Sequence, residues 1–199
     1  ACGACPAPLC DMCEPARIKY DAEAFSESSV ILWAVTLGYF MERFAEMTGR
    51  KINSRTVEAV TLETYRLAKS LNAMKMEWAM GAQNAVARSV GTLMCDYDVL
   101  LTPGLGGEVA KLGVLDQNAK GVSPMDWWRQ LMYDYTQFTP LFNTTGQPAI
   151  MLPLWQSKAG LPIAMQFVGR MGDEETLYSL AGQLEQALPW CGRRPPRYA

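Results

Sequence analysis

Strand-forming sequence is scarce in this chain, and that scarcity limits the folds open to it. Three segments read as strands. Asp98-Val-Leu-Leu-Thr-Pro103 is a short apolar run ended by its proline. Pro148-Ala-Ile-Met-Leu-Pro153 and Pro162-Ile-Ala-Met-Gln-Phe-Val168 flank the polar turn Gln156–Gly160 and read as a hairpin. The rest is mostly helical. Ala22 to Met47 carries Phe25, Ile31, Leu32, Val35, Tyr39, Phe40 and Phe44 over more than one face, which predicts a helix packed on several sides. Gly49 suits its left-handed C-cap. Asn53 or Ser54 can cap a second helix running to about Leu71. Leu67, Leu71, Met74 and Trp78 have the spacing of one buried stripe, which a helix from Asn72 to Met94 continues through Ala82, Ala85 and Val90. The Met and Trp residues there are expected in the core. Ser123-Pro124-Met125-Asp126 starts a helix bearing Trp127, Trp128, Leu131, Met132 and Tyr135. Asp173 caps the last helix, whose buried face is Leu177, Leu180, Ala181, Leu184 and Leu188. The expected fold is α/β. Three strands cannot cover this much helix, so the chain reads as part of a larger sheet.

The glycine turn Gly104-Leu-Gly-Gly107 follows the first strand. It lacks the Gly-Lys-Ser/Thr of a phosphate loop, and Val109 stands where a dinucleotide fingerprint needs its third glycine. It is expected to be a backbone turn.

Composition narrows the chemistry. The 199 residues hold 18 Lys+Arg, 20 Asp+Glu and no histidine, for a net charge of −2. No long-range attraction to phosphate backbones follows, so nucleic acid and anionic membrane surfaces are not expected partners. Without histidine there is no Ser-His-Asp triad, no Cys-His pair and no His-ligated metal. Any catalysis must run on Lys, carboxylates, Tyr, Ser or Cys. The apolar stretch Val30–Met41 is 12 residues long, short of the roughly 20 that span a bilayer. The sequence starts at Ala1 without a signal-peptide pattern, which suggests a cleaved or partial chain. Cys2, Cys5, Cys10 and Cys13 form C-x2-C-x4-C-x2-C, whose central gap fits neither a zinc ribbon nor an iron–sulfur run. No metal site is expected. Cys95 and Cys191 stand alone, and a reduced, cytoplasmic setting fits best. Residues 1–19 are expected to form a Cys-rich segment outside the core, with 20–199 one portion of a single domain.

Tyr97-Asp-Val-Leu-Leu-Thr-Pro103 resembles the strand and proline of the amidase signature enzymes. Phe142-Asn-Thr-Thr-Gly-Gln-Pro-Ala-Ile-Met-Leu-Pro153, Gly160-Leu-Pro-Ile-Ala-Met-Gln-Phe-Val-Gly-Arg170 and Gly172-Asp-Glu-Glu-Thr-Leu177 resemble that family's C-terminal core. Pro189-Trp190 with Arg193-Arg-Pro-Pro196 is similar in particular to 6-aminohexanoate cyclic dimer hydrolases and their amidase relatives. The resemblance covers about Tyr20 to Pro196. It implies the C-terminal part of a mixed, twisted sheet flanked by helices, with the sheet incomplete in this chain. It implies hydrolysis of carbon–nitrogen amide bonds, linear or cyclic, without a cofactor. In the family a serine attacks the carbonyl, and a second serine relays protons to a lysine. A desolvated lysine can serve as such a base.

The Gly/Ser-rich stretch that should carry those groups is absent from these residues. Ser28-Ser29 is the only serine pair, in Glu27-Ser-Ser-Val30, and reads as solvated helix surface. No catalytic residue is therefore assigned. The resemblance places Tyr135, Thr136, Phe138 and Asn143 toward the substrate. Thr136 stands where some relatives carry an acidic residue, which would suit a neutral substrate. The expected partners are a small-molecule amide and an N-terminal half of the amidase domain, with homo-oligomerisation open. A non-catalytic binding or regulatory domain built on the same fold is the alternative.

Overall fold

The computed structural model describes residues 13–193. In order these form α1 (Ala22–Thr48), α2 (Ala59–Ser70), α3 (Ala73–Leu93), β1 (Val99–Pro103), α4 (Pro124–Asp134), α5 (Thr139–Thr145), β2 (Ala149–Gln156), β3 (Pro162–Gly169) and α6 (Glu174–Ala187). Cys2, Cys5 and Cys10, and the basic tail beyond Arg193, lie outside the described residues.

Asp21 caps α1, its Oδ1 accepting the N–H groups of Glu23 and Ala24 at 3.1 and 3.0 Å. Gly49 ends the helix at φ 66°. Small residues recur among those that α1 buries. Ser26, Ser28, Ser29, Ala34 and Gly38 are buried with Phe25, Val30, Ile31 and Met41, where α1 meets α2, α3 and α4. A Cβ on Gly38 would sit 2.8 Å from the Cβ of Ala68, so the α1–α2 crossing needs glycine there. The expectation of packing on several sides holds for the first half of α1, whose buried positions go round the helix, and fails beyond it, where Tyr39, Phe40 and Phe44 are exposed. By length and composition α1 could also cross a membrane, which the shorter run Val30–Met41 did not suggest. Here its packing on three helices makes it a core helix.

The Ser28-Ser29 pair is buried rather than solvated. The Ser28 hydroxyl donates to the Phe25 carbonyl at 2.9 Å, and Ser29 Oγ accepts from Gln83 Nε2 at 3.2 Å. Ser29 thus ties α1 to α3, and Ser28 satisfies its hydroxyl within α1.

α2 begins later than expected. Asn53 caps a turn instead, its Oδ1 accepting the Arg55 N–H at 2.9 Å, and Glu58 precedes the helix without a side-chain cap. Leu71 is extended (φ −76°, ψ 147°), and Asn72 caps α3 by accepting the Lys75 N–H at 2.9 Å. That extended residue resets the helical phase. The stripe from Leu67 does not continue: Met74 and Trp78 are exposed, as is Ala85, and α3 buries Ala79, Val86 and Val90.

The strands pair antiparallel in the order β1-β3-β2. β2 runs past Pro153 to Gln156, with a register shift between Leu152 and Trp155, as an edge strand allows. Alternation along β3 serves two cores. Val168 faces a cluster with Phe25, Val86, Val90, Met94, Leu100, Met132, Leu141 and Phe142. Phe167 joins Leu152 and Leu177 of α6 on the other face. Of the expected α6 stripe, Leu177 is buried, Leu180, Ala181 and Leu184 are half-buried, and Leu188 is exposed. Residues assigned on sequence to the segment outside the core touch it. Ile18 packs on the first cluster, and Tyr97 donates its hydroxyl to Glu14 at 2.7 Å.

α1 and α2 are also tied by Glu42, which accepts from Lys69 Nζ at 2.7 Å and Tyr65 Oη at 3.1 Å. These bonds, Lys69 first, hold the Glu42 carboxyl below its ordinary pKa. A carboxyl lowered on folding stabilises above its unfolded pKa, and that contribution is lost as pH falls through the folded one. Stability is expected to drop on acidification through the carboxylate range, and less steeply in Glu42→Gln, as urea titrations at stepped pH will read. Gly38→Val should cost about 2 kcal/mol by overpacking against Ala68. Gly81→Ala, at a mid-helix site where a Cβ meets nothing within 4 Å, should gain about 0.5–1 kcal/mol. Denaturant melts of the two variants will show opposite signs.

Candidate functional site

The four residues assigned toward substrate lie on one segment, from the end of α4 through α5. Ser123 starts α4, its Oγ accepting the Asp126 N–H at 3.1 Å while donating to Asp126 Oδ2 at 2.6 Å. The helix stops at Tyr135 (φ −128°, ψ −50°). The Leu131 carbonyl there collects the N–H groups of Tyr135 and Thr136 at 3.1 and 2.9 Å and the Thr136 hydroxyl at 3.1 Å. The Thr136 hydroxyl is thus engaged in closing the helix. Phe138 precedes α5 without a side-chain cap, and α5 ends at Gly146 (φ 80°). Leu141 and Phe142 anchor α5 in the larger core. Tyr135, Thr136 and Phe138 are half-buried, and Asn143 is exposed.

The glycine turn after β1 presses against this segment. The Gly106 N–H donates to the Tyr135 carbonyl at 2.8 Å. A Cβ on Gly106 would fall 2.9 Å from Cδ of Gln137, and one on Gly104 would fall 2.3 Å from the Met151 methyl and 3.0 Å from the Ala164 carbonyl oxygen. The glycines serve close approach of loop, sheet and helix end, in keeping with the backbone-turn reading.

Two polar pairs were not singled out by sequence reasoning. Gln166, buried in β3, donates Nε2–H to Thr102 Oγ1 of β1 at 3.0 Å. Thr145 donates its hydroxyl to the buried Gln147 just after α5. The one available signal was a glutamine inside an otherwise apolar strand, Pro162–Val168.

The structure brings Tyr135 and Thr136 together at one helix end with the glycine turn, and sets Phe138 and Asn143 further along the segment. Two open grooves, of about 430 and 490 Å3, lie elsewhere, beside Val99 and α6 and around Arg55 and Asn118. Among the described residues no three Cys, Asp or Glu side chains are placed to share a metal ion. Cys13, Cys95 and Cys191 are free and exposed.

The Amidase family model matches residues 13–178. The chain belongs to the amidase family, and its fold is a part of the amidase signature fold. It is 30% identical over 176 residues to the 6-aminohexanoate-cyclic-dimer hydrolase of Pseudomonas sp. (strain NK87), covering 86% of this chain and 36% of that protein. It is 31% identical over 168 residues to AmiC of Mycobacterium leprae (strain TN), covering 83% of this chain and 34% of that one. A solved 6-aminohexanoate cyclic dimer hydrolase superposes with a TM-score of 0.80 at 26% identity, over 96% of this chain and 41% of that one. A bacterial aryl acylamidase shares the fold, with a TM-score of 0.66 at 17% identity over 89% and 38%. The chain thus spans about a third of the length of these curated relatives.

Thr136→Val keeps the side-chain shape and removes the bond to the Leu131 carbonyl, so it should cost about 1 kcal/mol in a urea melt. Asn143→Ala, on the exposed face of α5, should stay within about 0.5 kcal/mol of the parent.

Proposed function

We propose that this chain is the C-terminal part of an amidase that hydrolyses carbon–nitrogen bonds of small amides. The observation that carries this reading is an asymmetry of coverage. The superposition accounts for 96% of this chain and 41% of the solved cyclic dimer hydrolase. The exposed aromatic residues of α1 support it, since Tyr39, Phe40 and Phe44 leave large apolar side chains in water.

In this reading the missing portion supplies a lysine and two serines. One serine oxygen attacks the amide carbonyl, the second serine passes its proton by way of the lysine to the departing amine, and water then releases the acid. This chemistry needs no histidine. Ser28 and Ser29 take no part, because their hydroxyls are spent within the helix pair. This chain contributes sheet and pocket wall. Tyr135, Thr136, Phe138 and Asn143 face the substrate once the pocket is assembled, and the uncharged Thr136 favours a neutral amide, linear or cyclic.

The test is complementation. The chain alone should hydrolyse no simple amide, and co-expression with the remaining amidase portion should restore turnover, measured as released amine. Turnover by the chain alone that persists in Ser28→Ala and Ser29→Ala variants would overturn the proposal. A ligand-induced rise in melting temperature without turnover in either setting would favour the non-catalytic binding domain.

A further inference from the structure

Two glycines of the turn after β1 answer to different neighbours. Gly104 is needed by the fold, because a Cβ there would fall 3.0 Å from the Ala164 carbonyl oxygen, a backbone atom that cannot swing aside. Gly106 meets side-chain atoms instead. A Cβ on it would lie 2.9 Å from Cδ, 3.0 Å from Nε2 and 3.1 Å from Cγ of Gln137. Its φ is not positive, so no left-handed conformation calls for glycine at that position. The end of a glutamine side chain has rotatable bonds behind it and could turn away from a methyl group. The fold could therefore accept a Cβ at Gly106, and what the glycine secures is the place of the Gln137 carboxamide. The turn itself is fixed by the Gly106 N–H, which donates to the Tyr135 carbonyl at 2.8 Å.

The carboxamide so placed stands among the residues assigned toward substrate. Tyr135, Thr136 and Phe138 flank it in the chain and are half-buried, whereas Gln137 is exposed. The Thr136 hydroxyl donates to the Leu131 carbonyl at 3.1 Å, so its proton is turned inward. A glutamine carboxamide carries two N–H donors and a carbonyl acceptor. A neutral amide offers the complementary acceptor and donor, and neither group bears a charge. Resting the carboxamide against a bare glycine restricts its rotamers before a ligand arrives, which lowers the cost of ordering it on binding.

We propose that Gln137 binds the polar part of a neutral amide substrate, and that Gly106 is the positioning residue that holds its carboxamide for that contact. This rests on the reading of the chain as part of an amidase. It adds a specificity-determining residue to the four assigned through the family resemblance.

The full chain is combined with the part of the Pseudomonas sp. (strain NK87) cyclic dimer hydrolase that it does not match, and turnover of hexanamide and 6-aminohexanamide is measured. Gln137→Glu keeps the shape and adds a negative charge. Beside bound substrate that charge should raise the ratio of kcat/KM for 6-aminohexanamide over hexanamide by about tenfold. Gln137→Ala should raise KM for hexanamide by about tenfold with kcat within about threefold, as loss of a binding contact does. Gly106→Ala should raise KM by about fivefold in the parent and by less than about twofold when residue 137 is already alanine, because its methyl acts through the displaced carboxamide. A ratio within about twofold of the parent in Gln137→Glu, the result for a charge screened by solvent, would overturn the proposal. So would an equal effect of Gly106→Ala with and without the Gln137 side chain. Turnover by the parent combination leaves the amidase reading standing in both cases. The Gln137→Glu ratio decides alone if Gly106→Ala loses its cooperative melt. A parent combination without turnover would overturn the amidase reading and this proposal with it.

Discussion

The close approach of α1 to its neighbours is the constraint from which the rest of the helical layer follows. Gly38 leaves no room for a Cβ against Ala68, and Ser26, Ser28, Ser29 and Ala34 are buried along the same helix. Small residues at a crossing let two backbones come near, and the contact then rests on dispersion and a few side-chain hydrogen bonds. The Ser29–Gln83 bond is one of these. The bulky residues of α1 divide along its length. Phe25, Val30 and Ile31 reach into the core, whereas Tyr39, Phe40, Phe44 and Met47 remain exposed.

This division bears on which parts of the fold were legible in the sequence. The hairpin, the short strand before Pro103 and the caps at Ser123 and Asp173 rest on local chemistry, and they appear in the structure nearly as read. The side that each long helix buries was not local. An apolar pattern spread around α1 cannot tell a helix covered on all sides from one whose cover lies outside the residues at hand. The stripe through Leu67, Leu71, Met74 and Trp78 was lost for a different reason. One extended residue at Leu71 ends the helical phase, and spacing counted across it has no geometric meaning.

The candidate site divides in the same way. Its segment could be named only through the family resemblance of the run from Phe142 to Pro153. The tasks of its residues could not. Thr136 spends its hydroxyl on the Leu131 carbonyl five residues back, and Gly106 exists to admit Gln137. The second task depends on a contact between a loop after β1 and a helix end some thirty residues later in the chain. The Thr102–Gln166 pair is likewise a contact between strands, invisible along either one.

The exposed side of the helical layer bears on stability as well as on assembly. Burying a large apolar side chain fully is worth about 1.5–3 kcal/mol, so leaving half of one in water forgoes about 1 kcal/mol. Tyr39, Phe40, Phe44, Met74 and Trp78 are all in that condition. Together they forgo on the order of 5 kcal/mol, comparable to the lower end of the net stability of a domain. A partner that covers them would therefore stabilise the fold by about as much as the fold can spare. Were that partner the rest of the amidase domain proposed above, completion of the catalytic centre and completion of the core would be one event. Substitutions at these aromatic positions would act on assembly of the pocket, with little effect on the isolated helices that carry them.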